Sequence, residues 1–179
     1  MNYRDFVKSY PDFPKKDVLF WDFSYLLKDV AARDAAIQDM KTFLAGKKIN
    51  KIAAVESKGF TLGAILAHEL QVPLVLIRKP HLIPGNFHHA TFIKEYGTGE
   101  YELKDDAIAS DDRVAIVYDI MAGSGASKAA IDLVRQGKGL PVALVYVTEL
   151  AYLGGRKDLA GCDIFSLVKV HKKDGHGKS

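Results

Sequence analysis

The sequence predicts an α/β fold, a mainly parallel twisted sheet flanked by helices, from its strand and helix patterning, while composition and the length of its apolar runs bound the setting. Two strand-helix-strand patterns follow one another along the chain. The 179 residues are 48% hydrophobic and 26% charged, enough apolar material for a packed core without disulfide staples. The longest apolar runs, residues 73–77 and 141–147, stop far short of the roughly 18 to 20 residues a membrane helix needs, so no membrane placement is expected.

In chain order, Asp29 can cap a helix whose apolar positions Val30, Ala36, Ile37, Met40, Phe43 and Leu44 recur near the 3.6-residue period. Gly46 ends it. Residues 51–55 read as a buried strand, and residues 59–70 carry the helical stripe Leu62, Ile65, Leu66 and Leu70. An apolar strand over 73–78 completes the first unit. The pattern recurs as a strand over 113–119, a helix over 126–136 and a strand over 140–149. Between the units, residues 79–90 hold two prolines, Gly85 and three histidines without clear periodicity, and residues 91–103 read as a hairpin around Gly97-Thr98-Gly99. Residues 1–170 form one expected domain, and the polar stretch 171–179 an expected mobile tail.

Charge and cysteine usage narrow the function classes. Lys plus Arg number 25 against 22 Asp plus Glu, and Lys172, Lys173 and Lys178 against Asp174 put +2 of the net +3 in the tail. The body is then too weakly basic to suggest a nucleic-acid partner. A single cysteine, Cys162, cannot close an internal disulfide and fits a reducing compartment. Residues 1–12 carry Arg4, Asp5 and Lys8 and lack a continuous apolar signal segment, so a cytoplasmic protein is expected.

Chemistry in an α/β sheet sits at the carboxyl ends of the strands, here residues 56–60 and 118–127. The second is an apolar strand, the acid Asp119, then the small residues Ala122, Gly123, Ser124, Gly125 and Ala126 opening a helix. Such a loop presents backbone N–H groups at a positive helix end, a ready phosphate site. An acid just before it can accept from sugar hydroxyls or sit beside a magnesium ion. On these residues alone, a tight strand-to-helix turn explains the loop equally well. The histidines His81, His88 and His89 do not promise a metal site, because adjacent residues on an extended strand point apart.

The segments Pro11-Asp12-Phe13-Pro14, Phe20-Trp21-Asp22, Glu56-Ser57-Lys58-Gly59-Phe60, Arg78-Lys79-Pro80, Pro84-Gly85, Glu95-Tyr96-Gly97, Lys104-Asp105-Asp106-Ala107-Ile108, the small-residue loop, Glu149-Leu150 and Gly155-Arg156 keep a specific order and spacing. With them the chain resembles the adenine phosphoribosyltransferase family, of the type I phosphoribosyltransferase fold, from about residue 13 to 170. The resemblance implies a small N-terminal hood over about residues 1–28 and a flexible lid near 82–91. It implies transfer of a phosphoribosyl group from phosphoribosyl pyrophosphate (PRPP) to adenine, giving AMP and pyrophosphate in purine salvage. It also implies a homodimer, and Mg2+ held mainly by PRPP. Carried over position by position, Ala122 to Ala126 would bind the 5-phosphate, and Asp119 with Tyr118 would face the ribose. Ser57, Lys58, Gly59, Arg78 and Lys79 would serve the pyrophosphate, Leu19, Phe20 and Leu150 would bracket the base, and Glu95 would be the catalytic acid.

The chain departs from the family pattern on the sugar and pyrophosphate side. Tyr118 stands in place of an acid, and Gly123 and Ala126 in place of threonines. Trp21 and Lys58 replace arginines, and His81-Leu82 replaces Gly-Lys. Three charge-assisted hydrogen bonds lost together would total about 4 to 8 kcal/mol, enough to hide an activity. Two further readings therefore stand beside the first: transfer to another base such as hypoxanthine or guanine, or a non-catalytic regulator that binds a nucleotide or phosphosugar on the same fold.

Overall fold

The computed structural model describes residues 1–94 and 97–171. The N-terminal part holds an antiparallel ribbon, β1 (Lys8–Pro11) with β2 (Leu19–Asp22), then the short α1 (Ser24–Lys28) and α2 (Val30–Leu44). Asp29 caps α2 as its sequence suggests, accepting from the Ala32 N–H at 2.9 Å. The first strand-helix-strand unit is β3 (Lys51–Val55), α3 (Gly59–Leu70) and β4 (Leu74–Ile77). The second is β7 (Arg113–Met121), α4 (Gly125–Gln136) and β8 (Leu140–Leu150). An antiparallel hairpin, β5 (Phe87–Lys94) with β6 (Gly97–Lys104), lies between them, and β9 (Asp163–Val170) ends the described chain.

Five strands pair in parallel in the order β4-β3-β7-β8-β9. Alternate side chains along each strand feed two cores. Ile52, Ala115, Val117 and Val145 pack with α2 and α3 on one face, whereas Ala53, Ile116, Leu144 and Tyr146 pack with α4 and the hairpin on the other. α3 lies so close to the sheet that a Cβ on Gly59 would sit 2.6 Å from the Val117 carbonyl oxygen. Only glycine fits there without moving the backbone.

The hairpin differs from its expected bounds. The hairpin pairs Phe87 with Lys104 and Lys94 with Gly97, so its arms begin four residues before 91 and Gly97 to Gly99 are strand, not turn. In this register Gly99 lies opposite Phe92, and the Phe92 ring packs at a tilt 4.8 Å from that of Tyr101. The half-covered edge strand β9 was also not anticipated, because residues 163–170 lack a strict alternation. Among the described residues no helix is long and apolar enough to cross a membrane. Residues 172–179, most of the expected tail, lie outside the described residues.

Candidate active site

β3 and β7 are neighbours, yet β3 leads through α3 to β4 on one side and β7 leads through α4 to β8 on the other. Their carboxyl ends therefore flank the point where strand order reverses, the crevice in which open α/β sheets bind ligands. Two helices of 12 residues, α3 and α4, start at this crevice. Neither Lys58 nor Ser124, the residues before them, caps its helix with a side chain. Both helix starts thus offer first-turn N–H groups to an anion.

Around the first helix start gather the residues expected to serve a pyrophosphate. Lys58 reaches across the crevice, its Nζ 2.5 Å from Asp119 Oδ2 and 4.8 Å from the centre of the Phe20 ring. It thereby joins the loop after β3, the end of β7 and the N-terminal ribbon. Glu56 accepts from the Lys79 backbone N–H at 3.0 Å and lies 3.6 Å from Arg78 Nε. Arg78 exchanges both backbone hydrogen bonds with Glu102 at 2.8 Å, which fixes the end of β4 to the hairpin. The Glu56-Ser57 peptide is cis. Glu56, Ser57, Lys58, Lys79 and Asp119 line a cavity of about 380 Å³ that also touches Phe92, Tyr118 and Ile120.

A second cavity of about 510 Å³ lies over the small-residue loop, lined by Ala122, Gly123, Gly125, Ala126, Ser127 and Leu153. Phe92, Tyr118 and Ile120 line this one as well, so they stand between the two. The hairpin rests on the loop: a Cβ on Gly125 would meet the Ile93 carbonyl oxygen at 2.9 Å. Ser127 hydrogen-bonds the Tyr146 hydroxyl at 2.7 Å in the core, and Ser124 donates to Asp158 at 2.7 Å.

Tyr118 and Asp119, consecutive on β7, face opposite sides of the sheet. Asp119 meets Lys58, while Tyr118 shares a 2.5 Å hydrogen bond with Tyr101 of the hairpin. Burial foremost, with the neighbouring Tyr101 adding to it, pushes the Tyr118 phenol far above its ordinary range, so it stays neutral. In β2, Phe20 faces the crevice, whereas Leu19 packs against the apolar cluster that contains Leu150. Trp21 points with Leu19 away from the crevice, 4% exposed, under the Arg4 guanidinium at 4.8 Å. It is not a pocket residue. His89 binds Glu100 at 3.0 Å, and among the described residues no group of three or more His, Cys, Asp or Glu is arranged to hold a metal. Glu95 lies outside the described residues.

Sequence reasoning overlooked Tyr101, Phe92, Glu102 and Asp158. The alternation Glu100-Tyr101-Glu102-Leu103 carried a strand signal for Tyr101 and Glu102, but nothing local ties Asp158 to residue 124. Behind Leu150, the buried Glu149 takes Arg156 in a two-pronged ion pair, one prong 3.0 Å and the other 2.5 Å, and accepts from Ser166 at 2.7 Å. This fastens the segment after β8 to β9.

A parallel sheet whose switch point holds two uncapped helix starts, a bridging lysine and an acid has the groups that a phosphorylated sugar or nucleotide needs. The comparisons with known proteins narrow that class. No family model matches the chain. An adenine phosphoribosyltransferase of Halothermothrix orenii is 38% identical over 169 residues, which span 94% of this chain and 99% of that protein. The crystal structure of adenine phosphoribosyltransferase from Thermoanaerobacter pseudethanolicus superposes with a TM-score of 0.90 at 39% identity, covering 94% of this chain and 98% of the other. That of Saccharomyces cerevisiae, complexed with an imino-altritol bisphosphate and adenine, gives 0.86 at 34%, covering 92% and 96%. The chain belongs to the adenine phosphoribosyltransferase family.

Proposed function

We propose that this protein transfers the 5-phosphoribosyl group of PRPP to adenine, releasing AMP and pyrophosphate. The reading carries with it action as a homodimer in the cytoplasm. A ring nitrogen of adenine bonds to C1 of the ribose while the bond from C1 to the pyrophosphate oxygen breaks. The bonding pair leaves with pyrophosphate, and the base gives up one proton. Positive charge grows on the sugar and negative charge on the leaving group, so the site must place cations at one end and an acceptor near the ribose.

The observation that carries the proposal is the Lys58 bridge between Asp119 and Phe20, at the reversal point of the sheet. Lys58, with Arg78, Lys79 and the start of α3, supplies the pyrophosphate end. Asp119 accepts from ribose hydroxyls once Lys58 turns to the incoming pyrophosphate. Ala122 to Ala126 receive the 5-phosphate, Phe20 covers the base, with Leu19 and Leu150 bracing it from the apolar cluster, and Glu95 takes the proton. Mg2+ enters with PRPP as part of the substrate. Asp119 and Glu56 are hard oxygen donors at the cleft, and magnesium bound by one or two carboxylates plus substrate phosphates suits such a donor set.

The test is incubation of the purified protein with PRPP, Mg2+ and, in separate reactions, adenine, hypoxanthine and guanine, with products resolved by chromatography. AMP from adenine, at least tenfold faster than product from the other bases, is the expected result. Faster reaction with hypoxanthine or guanine would reassign the base. No product from any base, with AMP still bound, would replace catalysis by nucleotide binding at the same cleft. Glu95→Gln, run alongside, is expected to lose about 100-fold in rate, the scale of a lost general acid or base.

A further inference from the structure

The start of α4 holds two hydroxyls that a phosphate could use, Ser124 just before the helix and Ser127 in its first turn, and the protein has engaged both. Ser127 is tied to Tyr146 inside the core, and Ser124 donates to Asp158 Oδ2 at 2.7 Å. Lys128, in the first turns of α4, lies 3.7 Å from that same carboxylate oxygen. Asp158 ends the turn Gly155–Asp158, eight residues after Leu150, and reaches back to α4 from there. A single exposed carboxylate thus holds a hydroxyl of the small-residue loop and the ammonium of Lys128 two residues beyond it.

The hydrogen bond from Ser124 and, after it, the charge of Lys128 hold the Asp158 carboxyl below its ordinary range. At neutral pH it is therefore a fixed negative charge beside the place where a phosphate dianion lands. It repels that phosphate and competes with it for the same two partners.

We propose that Asp158 is an affinity-setting residue for the phosphorylated substrate: it keeps Ser124 and Lys128 from the 5-phosphate, which must take them over to bind. This rests on the reading of residues 122–126 as the 5-phosphate cradle. With both hydroxyls engaged, the cradle meets its ligand first through backbone N–H groups alone, and Asp158 sets how much the side chains add.

Isothermal titrations of AMP, ribose 5-phosphate and adenosine into the wild type, Asp158→Asn and Asp158→Ala test the proposal. Adenosine lacks the phosphate and is the internal reference. Kd for AMP and for ribose 5-phosphate is expected to fall about three- to tenfold in both variants, the range of one or two exposed ion pairs. Adenosine binding should not change, and the gain should shrink as salt is raised. Phosphate ligands bound no tighter by the variants than by the wild type would overturn the proposal. So would an equal gain for adenosine, which would mark a general change of the pocket. A wild type that binds neither phosphate ligand would instead overturn the cradle reading itself.

Discussion

At the scale of single residues, the site is built from charges that hold one another in place. Glu149 is the clearest case, 4% exposed and gripped by Arg156 and Ser166. Removing one partner of such a pair leaves a buried charge, which costs far more than the pair contributes. Arg156→Ala is expected to lower stability by about 3 kcal/mol in urea unfolding, and to loosen the segment after Leu150. A variant as stable as the wild type would show that water replaces the guanidinium without loss. Single residues are also where the sequence was least legible. Lys58, Asp119 and the small loop stood out because their spacing follows the ends of strands. Tyr101 and Asp158 did not, because their partners, Tyr118 and Ser124, lie 17 and 34 residues away in the chain.

At the scale of elements, two strand-to-helix joints make the crevice, and the closeness of α3 to the sheet sets the width of one. Gly59→Ala would force its new carbon against the Val117 carbonyl, 2.6 Å away. Overpacking of that kind costs about 1 to 3 kcal/mol and should also displace Lys58, so a loss of stability is expected together with a raised KM for PRPP. Steady-state kinetics beside thermal unfolding checks both. The helices and inner strands were readable from periodicity, since a buried parallel strand and an amphipathic helix each have a pattern of their own. The hairpin turn was misplaced because glycines usually mark turns, and here Gly99 sits within a strand, opposite Phe92. That pairing is a relation between two strands, which local sequence does not display.

At the scale of the whole molecule, acid stability follows from carboxylates pinned at opposite ends of the sheet, Asp112 just before β7 and Glu149 near the end of β8. Burial works to raise Glu149, yet the hydrogen bonds from Arg156 and Ser166 and the Arg156 charge outweigh it and hold the carboxyl below its usual value. Asp112 behaves alike: burial raises it, and Lys51, 2.6 Å away, with the Ala109 N–H brings it down. Both groups bind protons less readily folded than unfolded. Their stabilisation is therefore complete above the unfolded carboxylate values, about pH 4, and is lost as pH falls through the lower folded ones. Urea midpoints should hold steady from pH 7 to about pH 5 and drop below about pH 4. In Arg156→Ala the drop should be shallower, because Glu149 would have less to lose. A stability that rises on acidification would contradict these ion pairs.

Phosphoribosyl transfer in the crevice between β3 and β7, with Asp119 at the sugar and Lys58 at the pyrophosphate, is open to a direct test. The measurement that tests it most directly is the initial rate of AMP formation from adenine and Mg2+-PRPP by the wild type and by Asp119→Asn. Steady AMP production by the wild type is expected, with a loss of about 100-fold in kcat/KM for PRPP in the variant, the scale of one lost preorganised charged contact. Equal rates from the two proteins, or no AMP from the wild type, would contradict it.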